Sequence, residues 1–568
     1  MKSRSQALAS IADQTFDVCV IGGGATGSGC ALDSQLRGLQ TVLVDAGDFA
    51  GATSSTSTKI AHGGVRYLEE AVKDLDQAQY HVVTRALHER IRMLKNAPYL
   101  SRTMEFLLPC FRWTDVAYYD VGLKMYDWVS GNASIFPSHF LSRDETIRRI
   151  PALRHSQLVG SIAYADGQFD DARYNIVLVK SFADAGGEAL NYARVIAFEK
   201  DREGHLRTAQ VEDQITGKRF VIHAAAFVNA TGPVSDSVRE LATPSAQPRM
   251  RPSKGVHILL PLEVMPGADA LLIPKTEDGR VLFAVPWMGR LLVGTTEQEV
   301  SPRDELFVTD AEVRYILHHL NQYLERPVTP DQIVSGIAGA RPLVSSGDSR
   351  DTKELARDDE VEFDGKSGLI SIMGGKWTTY RAMAEDTINA VQKYLGREII
   401  ESPTRNRPLV GSDGYTPDYW EALVRQYGIS NETAMHLAGK FGTGAGQVLD
   451  LARKEPGLAG PVLTGLSAMR AEIAFCARKE MAMTVEDVLF RRLGIQLYSW
   501  RLAIHAAPVV ASVLAGELGW SAEEARLATQ QYVAKINRYL QLAGLAPEPL
   551  PDSEIRNVTA NLSTAKGG

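Results

Sequence analysis

Residues 22–27 read Gly-Gly-Gly-Ala-Thr-Gly, a G-x-G-x-x-G run that directly follows the apolar β-type stretch FDVCVI. A helix-compatible run, SGCALDSQLRG, comes next, and the apolar TVLVD of residues 41–45 ends on Asp45. Strand, glycine turn, helix, strand and acid in this order make a dinucleotide-binding unit. Gly22 permits the tight turn, Gly24 lets backbone approach a pyrophosphate, and Gly27 lets the helix pack on the sheet. Ala25 and Thr26 open the helix, whose N–H groups and positive dipole end suit phosphates. Asp45 is placed to accept hydrogen bonds from ribose hydroxyls, which disfavours a 2′-phosphate.

A second polar loop decides between NAD and FAD. After Asp45 the chain runs AGDFAGATSSTSTKIAHGGVRYLEE, with Thr53, Ser54, Ser55, Thr56, Ser57 and Thr58 leading into Lys59. Such hydroxyls cap helices and donate to phosphate and ribityl oxygens. An extended FAD needs this loop; an NAD domain has no evident need of it. Residues 227–232, FVNATG, read as a strand returning to the nucleotide sheet through Ala230, Thr231 and Gly232. In GGKWTT, residues 374–379, Gly374 and Gly375 allow close approach. Lys376 and Trp377 lead into a helix starting near Thr378. Its N-terminus would stabilise negative charge on a reduced flavin.

The stretch ATSSTSTKIAHGGVRYLE is similar to the second FAD motif of the FAD-dependent glycerol-3-phosphate dehydrogenases of the aerobic, quinone-linked type. YADGQFDDARYNIVLVKSFADAGG, VNATGPVSDSVR and IMGGKWTTYRAMAE resemble the same family in the same order. RPSKGVHI, VPWMGRLLVGTTE and ARPL fill the gaps, and EMAMTVEDVLFRR (480–492) continues the likeness weakly. The family usually has Glu where this chain has Asp45, and Asp where it has Glu297; both changes keep the carboxylate. The resemblance implies noncovalent FAD, with His62, Gly63 and Gly64 close to it and the Val195 backbone at the adenine. It also implies substrate contacts from Arg66, Tyr67, His257, Arg341 and Lys376, with Arg357 a looser match. Arg is suited to bidentate phosphate binding and Lys to a point charge. An Arg is a poor proton acceptor. The general base is therefore His257, which titrates in the useful range, or His62, or no dedicated group.

The fold implied is an α/β FAD-binding domain of Rossmann-like, glutathione-reductase/D-amino-acid-oxidase type. An α+β substrate domain with an antiparallel sheet and a C-terminal helical domain complete it. The FAD domain is expected from residues 15–75, 158–245 and 335–395, and the substrate domain from 76–157 and 246–334. LLIP, VLFAVPW and LLVGTT read as closely spaced strands. Residues 396–545 read as helical, with a capping box at Ser521 to Glu524, and 546–568 as a mobile tail.

The implied reaction is oxidation of sn-glycerol 3-phosphate at C2 to dihydroxyacetone phosphate, with hydride transfer to FAD and reoxidation by a membrane quinone. Alternatives are a glycerol-3-phosphate oxidase passing electrons to oxygen, and an amine or amino-acid oxidase on the same fold. The formal net charge of −7 argues against nucleic acid as a partner. Cys19, Cys30, Cys110 and Cys476 include no C-x-x-C, so no thiolate metal site is expected and reduced buried thiols are. No secretory signal is evident, and the apolar stretch from Leu502 to Gly516 reads as too short to span a bilayer. The location expected is peripheral, on the cytoplasmic face of the cell membrane, and the assembly expected is a homodimer. The basic amphipathic stretch of residues 69–97 reads as a docking helix or a solvated face. The aromatic stretch from Phe111 to Trp128 reads as core, with an interfacial role second.

Overall fold

The computed structural model describes residues 1–63, 77–133, 135–302, 304–345 and 359–550. The described strands form two sheets. The first has eight strands, running Asp359–Phe363, Ile370–Gly374, Arg219–Asn229, Thr15–Ile21, Thr41–Val44 and Glu188–Leu190, with Leu206–Asp213 and Ala193–Lys200 turned off its middle. Thr15–Ile21 runs parallel to both of its neighbours. Val18, Cys19 and Val20 are fully buried, which is why this strand is apolar without alternation.

The second sheet has ten strands. Ala270–Ile273, Leu282–Trp287 and Arg290–Gly294 form the antiparallel meander expected from their spacing. The segments expected to build the FAD domain include Gly160–Phe169 and Ser335–Arg341, which do not join the first sheet. Instead they pair with Ser101–Cys110 and Ser253–Pro261 in the second sheet. Gly160–Phe169 is buried along its whole length, so its sequence gives no alternation to reveal which layer it joins.

Beyond residue 418 the described chain is helical. The helix Ala522–Leu542 starts at the expected capping box: Glu524 N–H donates to Ser521 Oγ, and Ser521 N–H to Glu524 Oε2. Trp500–Leu518 corrects the reading of its length, since it is long and apolar enough to cross a membrane by length and composition. Its Trp500, Ala503, Ala507, Val510 and Leu514 are nonetheless buried in the core that underlies the second sheet. All four cysteines are buried and none is in a disulfide.

The helix Gln77–Asn96 buries one cation, Arg90, against Asp166 and the Ala133 carbonyl, while half-buried Arg85 and Arg92 reach Asp386 and Glu89 and Lys95 is exposed. Trp113–Ser130, read mainly as core, leaves Trp113 69%, Tyr118 55%, Val121 62% and Trp128 78% exposed.

Candidate active site

The glycine turn is built by close approach. Gly22 has φ +107°, and a Cβ there would lie 2.5 Å from the Ala230 carbonyl oxygen. A Cβ on Gly27 would lie 1.8 Å from the Gly22 carbonyl oxygen. Gly24 stands at the N-cap of the helix Ala25–Leu36 without a side chain to cap it, and Ala25 N–H donates instead to Ser54 Oγ, 2.9 Å away. The cradle therefore keeps room that any side chain would fill, beside a helix N-terminus, and so fits a pyrophosphate. Asp45 accepts from Gly23 N–H at 2.6 Å and Gly47 N–H at 2.8 Å. Burial pushes its carboxyl up to about 6 despite those bonds.

The hydroxyl loop is braced by the protein. Lys59, at φ +63°, is fully buried and donates to the Ser55 carbonyl and to Asp171. Ser57 also donates to Asp171, from N–H and from Oγ. Ser55 Oγ turns to the Ala52 carbonyl, and Thr53 Oγ1 to the Ala340 carbonyl. These four polar side chains, expected at the cofactor, each bind a protein group as well. A buried carboxylate must be paired, and Asp171 claims two of them.

Other expected cofactor residues form the frame around this loop. Ala230 N–H donates to the Ile21 carbonyl, and Thr231 N–H and Oγ1 to Asn229 Oδ1. Gly232, Gly374 and Gly375 have φ of +61°, +73° and +82°. Trp377 donates from Nε1 to the Ser54 carbonyl and packs against Phe169, Tyr174 and Tyr380, so its indole belongs to an aromatic cluster. Thr378 Oγ1 accepts from His62 N–H, and Tyr126 OH from Gly63 N–H. Val195 lies in Ala193–Lys200, whose first N–H donates to the Asp45 carbonyl. Lys376 precedes the turn Trp377–Thr379, which runs on into the helix Tyr380–Tyr394. Gly64, Arg66, Tyr67 and Arg357 lie outside the described residues.

The second sheet brings His257 and Arg341 together. Ser253 pairs with Arg341, Gly255 with Gly339 and His257 with Ile337. Alternation puts residues 253, 255 and 257 on one face, with 341, 339 and 337 beside them. Gly255 leaves the space that the Arg341 guanidinium fills: a Cβ there would meet Nη2 at 2.5 Å. Arg341 Nη2 donates to Thr295 Oγ1 at 2.8 Å and to the Thr296 carbonyl at 3.2 Å. His257 Nε2 lies 3.0 Å from Thr58 Oγ1, so this strand meets the hydroxyl loop. Its Nδ1 is buried with no hydrogen-bond partner among the described residues. Burial first, then the charges of Arg341 and Lys59, push the imidazole down to about 3.

Sequence reasoning missed the group that organises the loops. The first turn of the helix Asp171–Asp184 holds Lys59 and Ser57 through Asp171, Glu480 through Arg173, and the Gly23 carbonyl through Asn175 Nδ2 at 2.8 Å. Asp170 just before it pairs with Lys440. The stretch DDARYN carried the signal, as a run of polar residues opening an apolar helix. A further group not singled out, Glu277, His318 and His319, lies elsewhere; there His319 Nε2 already accepts from Glu277 N–H.

Residues 17–381 match the FAD dependent oxidoreductase family, and residues 402–525 match the C-terminal domain of alpha-glycerophosphate oxidase. The mitochondrial glycerol-3-phosphate dehydrogenase of Homo sapiens is 39% identical over 516 residues, covering 89% of this chain and 71% of that protein. That of Arabidopsis thaliana is 38% identical over 536 residues, covering 91% and 85%. The structure of a glycerol-3-phosphate dehydrogenase from Bacillus halodurans complexed with FAD aligns at a TM-score of 0.77 with 28% identity, over 97% of this chain and 99% of that one. The L-alpha-glycerophosphate oxidase of Mycoplasma pneumoniae shares the fold at a TM-score of 0.54 and 16% identity, over 69% of this chain and 98% of that one. With the glycine cradle, the acid at the end of the second strand and the cationic sheet face all in place, the chain belongs to the FAD-dependent glycerol-3-phosphate dehydrogenases.

Proposed function

We propose that the chain oxidises sn-glycerol 3-phosphate at C2 to dihydroxyacetone phosphate and delivers the electrons to a quinone at a membrane surface. The observation that carries this is the pairing of a neutral, buried imidazole with a fixed guanidinium on one sheet face, against the loop that follows the dinucleotide turn. Bound FAD supplies the hydride acceptor. Arg341, braced by Thr295 and Thr296, binds the phosphate dianion. His257 is held against Thr58 beside Arg341, and with its imidazole pushed down to about 3 it is too weak to serve as the general base expected of it, so the C2 hydroxyl proton passes to water. Lys376, expected at the substrate, adds a second cation from the first sheet.

The membrane half of the reading is supported by the helix Trp113–Ser130. Its exposed positions are Trp113, Thr114, Ala117, Tyr118, Val121, Gly122, Lys124 and Trp128, a face with a single charge. Aromatic and small residues of this kind suit the headgroup level of a bilayer. We place a lipid surface on this face rather than on Gln77–Asn96, whose Arg85, Arg90 and Arg92 pair with acids of the protein.

Anaerobic dye reduction by glycerol 3-phosphate, compared with peroxide yield in air, tests the reaction. Rapid dye reduction with little peroxide is the expected result. Stoichiometric peroxide favours the oxidase, and equal rates on glycerol and glycerol 3-phosphate overturn the substrate. Replacing Trp113, Val121 and Trp128 together with Ser should abolish sedimentation with liposomes while leaving dye reduction intact.

A further inference from the structure

The motif EMAMTVEDVLFRR lies far along the chain from the glycine turn, and the proposed reaction does not use it. In the fold its end meets the start of the chain. Asp48, three residues past Asp45, is buried and accepts from Arg491 Nε at 2.6 Å and Arg492 Nη1 at 2.7 Å on Oδ2. Its Oδ1 accepts from Arg492 Nη2 at 2.9 Å and Asn191 Nδ2 at 3.2 Å. Asn191 Nδ2 also donates to the Met481 carbonyl, and Tyr192 OH to Asp487 Oδ1, which in turn accepts from Arg491. Both arginines end the π-helical turn Asp487–Arg492.

The loop so gripped is the underside of the dinucleotide site. Ala50 N–H donates to the Gly23 carbonyl, and Tyr192 and Ala193 N–H to the Gly47 and Asp45 carbonyls. A Cβ on Gly23 would lie 2.5 Å from the Phe49 ring. Residues 45–50 therefore cannot shift without moving the Gly23 peptide, whose N–H binds Asp45. We propose that Arg491 and Arg492 are positioning residues for the cofactor: acting through Asp48, they hold Asp45 and the Gly23 peptide in the geometry that retains the adenosine half of FAD. The charges support this, since Asp48 raises the Asp45 carboxyl and Arg491 lowers it. The inference rests on the reading that Asp45 faces the adenosine ribose. It makes the helical region a determinant of cofactor retention and not only a cover.

The test is FAD affinity of the full-length protein, by fluorescence titration of reversibly deflavinated enzyme, with melting of the apo and FAD-bound forms beside it. Arg491→Gln and Asp48→Asn should each raise the FAD Kd at least tenfold and shrink the FAD-induced rise in Tm. Arg491→Lys should recover part of the affinity, and KM for glycerol 3-phosphate at saturating FAD should stay within twofold. A purely structural role predicts equal losses of Tm in both forms and an FAD Kd within twofold of the parent; that result overturns the proposal. If the buried variants do not fold, Tyr192→Phe removes one hydroxyl from Asp487. A two- to threefold weaker FAD supports the clamp and unchanged affinity overturns it. Asp45→Asn separates the layers: if it leaves FAD binding unchanged, the placement of the ribose is wrong. If it weakens binding while the clamp variants do not, only the clamp fails.

Discussion

The glycine turn at residues 22–27 and the hydroxyl loop at residues 53–59 both read as cofactor-binding sequences, yet they are built on opposite principles. The first works through backbone and the absence of side chains, so its glycines define its shape. The second works through side chains that are directed at the protein, with Lys59 and Ser57 wrapped around Asp171. A motif made of missing atoms states its own geometry. A motif made of hydroxyls and a lysine leaves their partners open, because each can bind ligand, water or a buried carboxylate.

Substitutions can break this contrast, beginning with the largest effect. Gly27→Val should abolish FAD content and impair folding, because even one added carbon would meet the Gly22 carbonyl; flavin absorbance of purified protein reads this. Lys59→Met strands Asp171 in the core. It should cost about 3–5 kcal/mol in denaturant unfolding, the usual range for breaking a buried pair. If Lys59 served only the cofactor, apoprotein stability would be unchanged.

His257 gives a pH signature. Above its ordinary value of 6.5 it is neutral whether folded or unfolded. As pH falls from there toward about 3, the unfolded chain takes up a proton that the folded site refuses, so stability is lost. The loss should approach roughly 4 kcal/mol near pH 3.5. His257→Gln should flatten that part of the acid limb in urea titrations at stepped pH. Arg341→Ala should lower kcat/KM by about 10- to 150-fold, the worth of one charged contact at roughly 1.5–3 kcal/mol, with FAD still bound. Thr58→Val should be the mildest, lowering kcat by about tenfold or less by releasing the imidazole from its place, with KM little changed.

The same contrast explains what was legible in the sequence. The parallel strand Thr15–Ile21, the turn, Asp45 and the meander at 270–294 declare themselves by period and by glycine. His257 and Arg341 were named through the family motifs, but their common sheet face follows from a register between strands far apart in sequence, which no local pattern fixes. The strands Gly160–Phe169 and Ser335–Arg341 fall in segments expected to build the FAD domain and pair in the second sheet through registers of the same long-range kind. Arg90 of Gln77–Asn96 read as a surface cation because its acidic partner, Asp166, lies on another element. The aromatics of Trp113–Ser130 read as core because composition carries no information about which side of a helix meets solvent.

The opening turn of Asp171–Asp184 has a consequence for the living cell. Asp170 and Arg173 bind partners 270 and 307 residues later in the chain. At roughly 5–20 residues per second, a ribosome takes roughly 15–60 seconds to travel from Arg173 to Glu480. Throughout that interval the guanidinium has no carboxylate to meet, and the wall around the dinucleotide turn stays unfinished. The nascent first sheet must therefore wait, sheltered or solvated, for the last third of the message. A chain that ends early leaves Arg173 without its carboxylate, which makes truncated products natural substrates for chaperones and proteases.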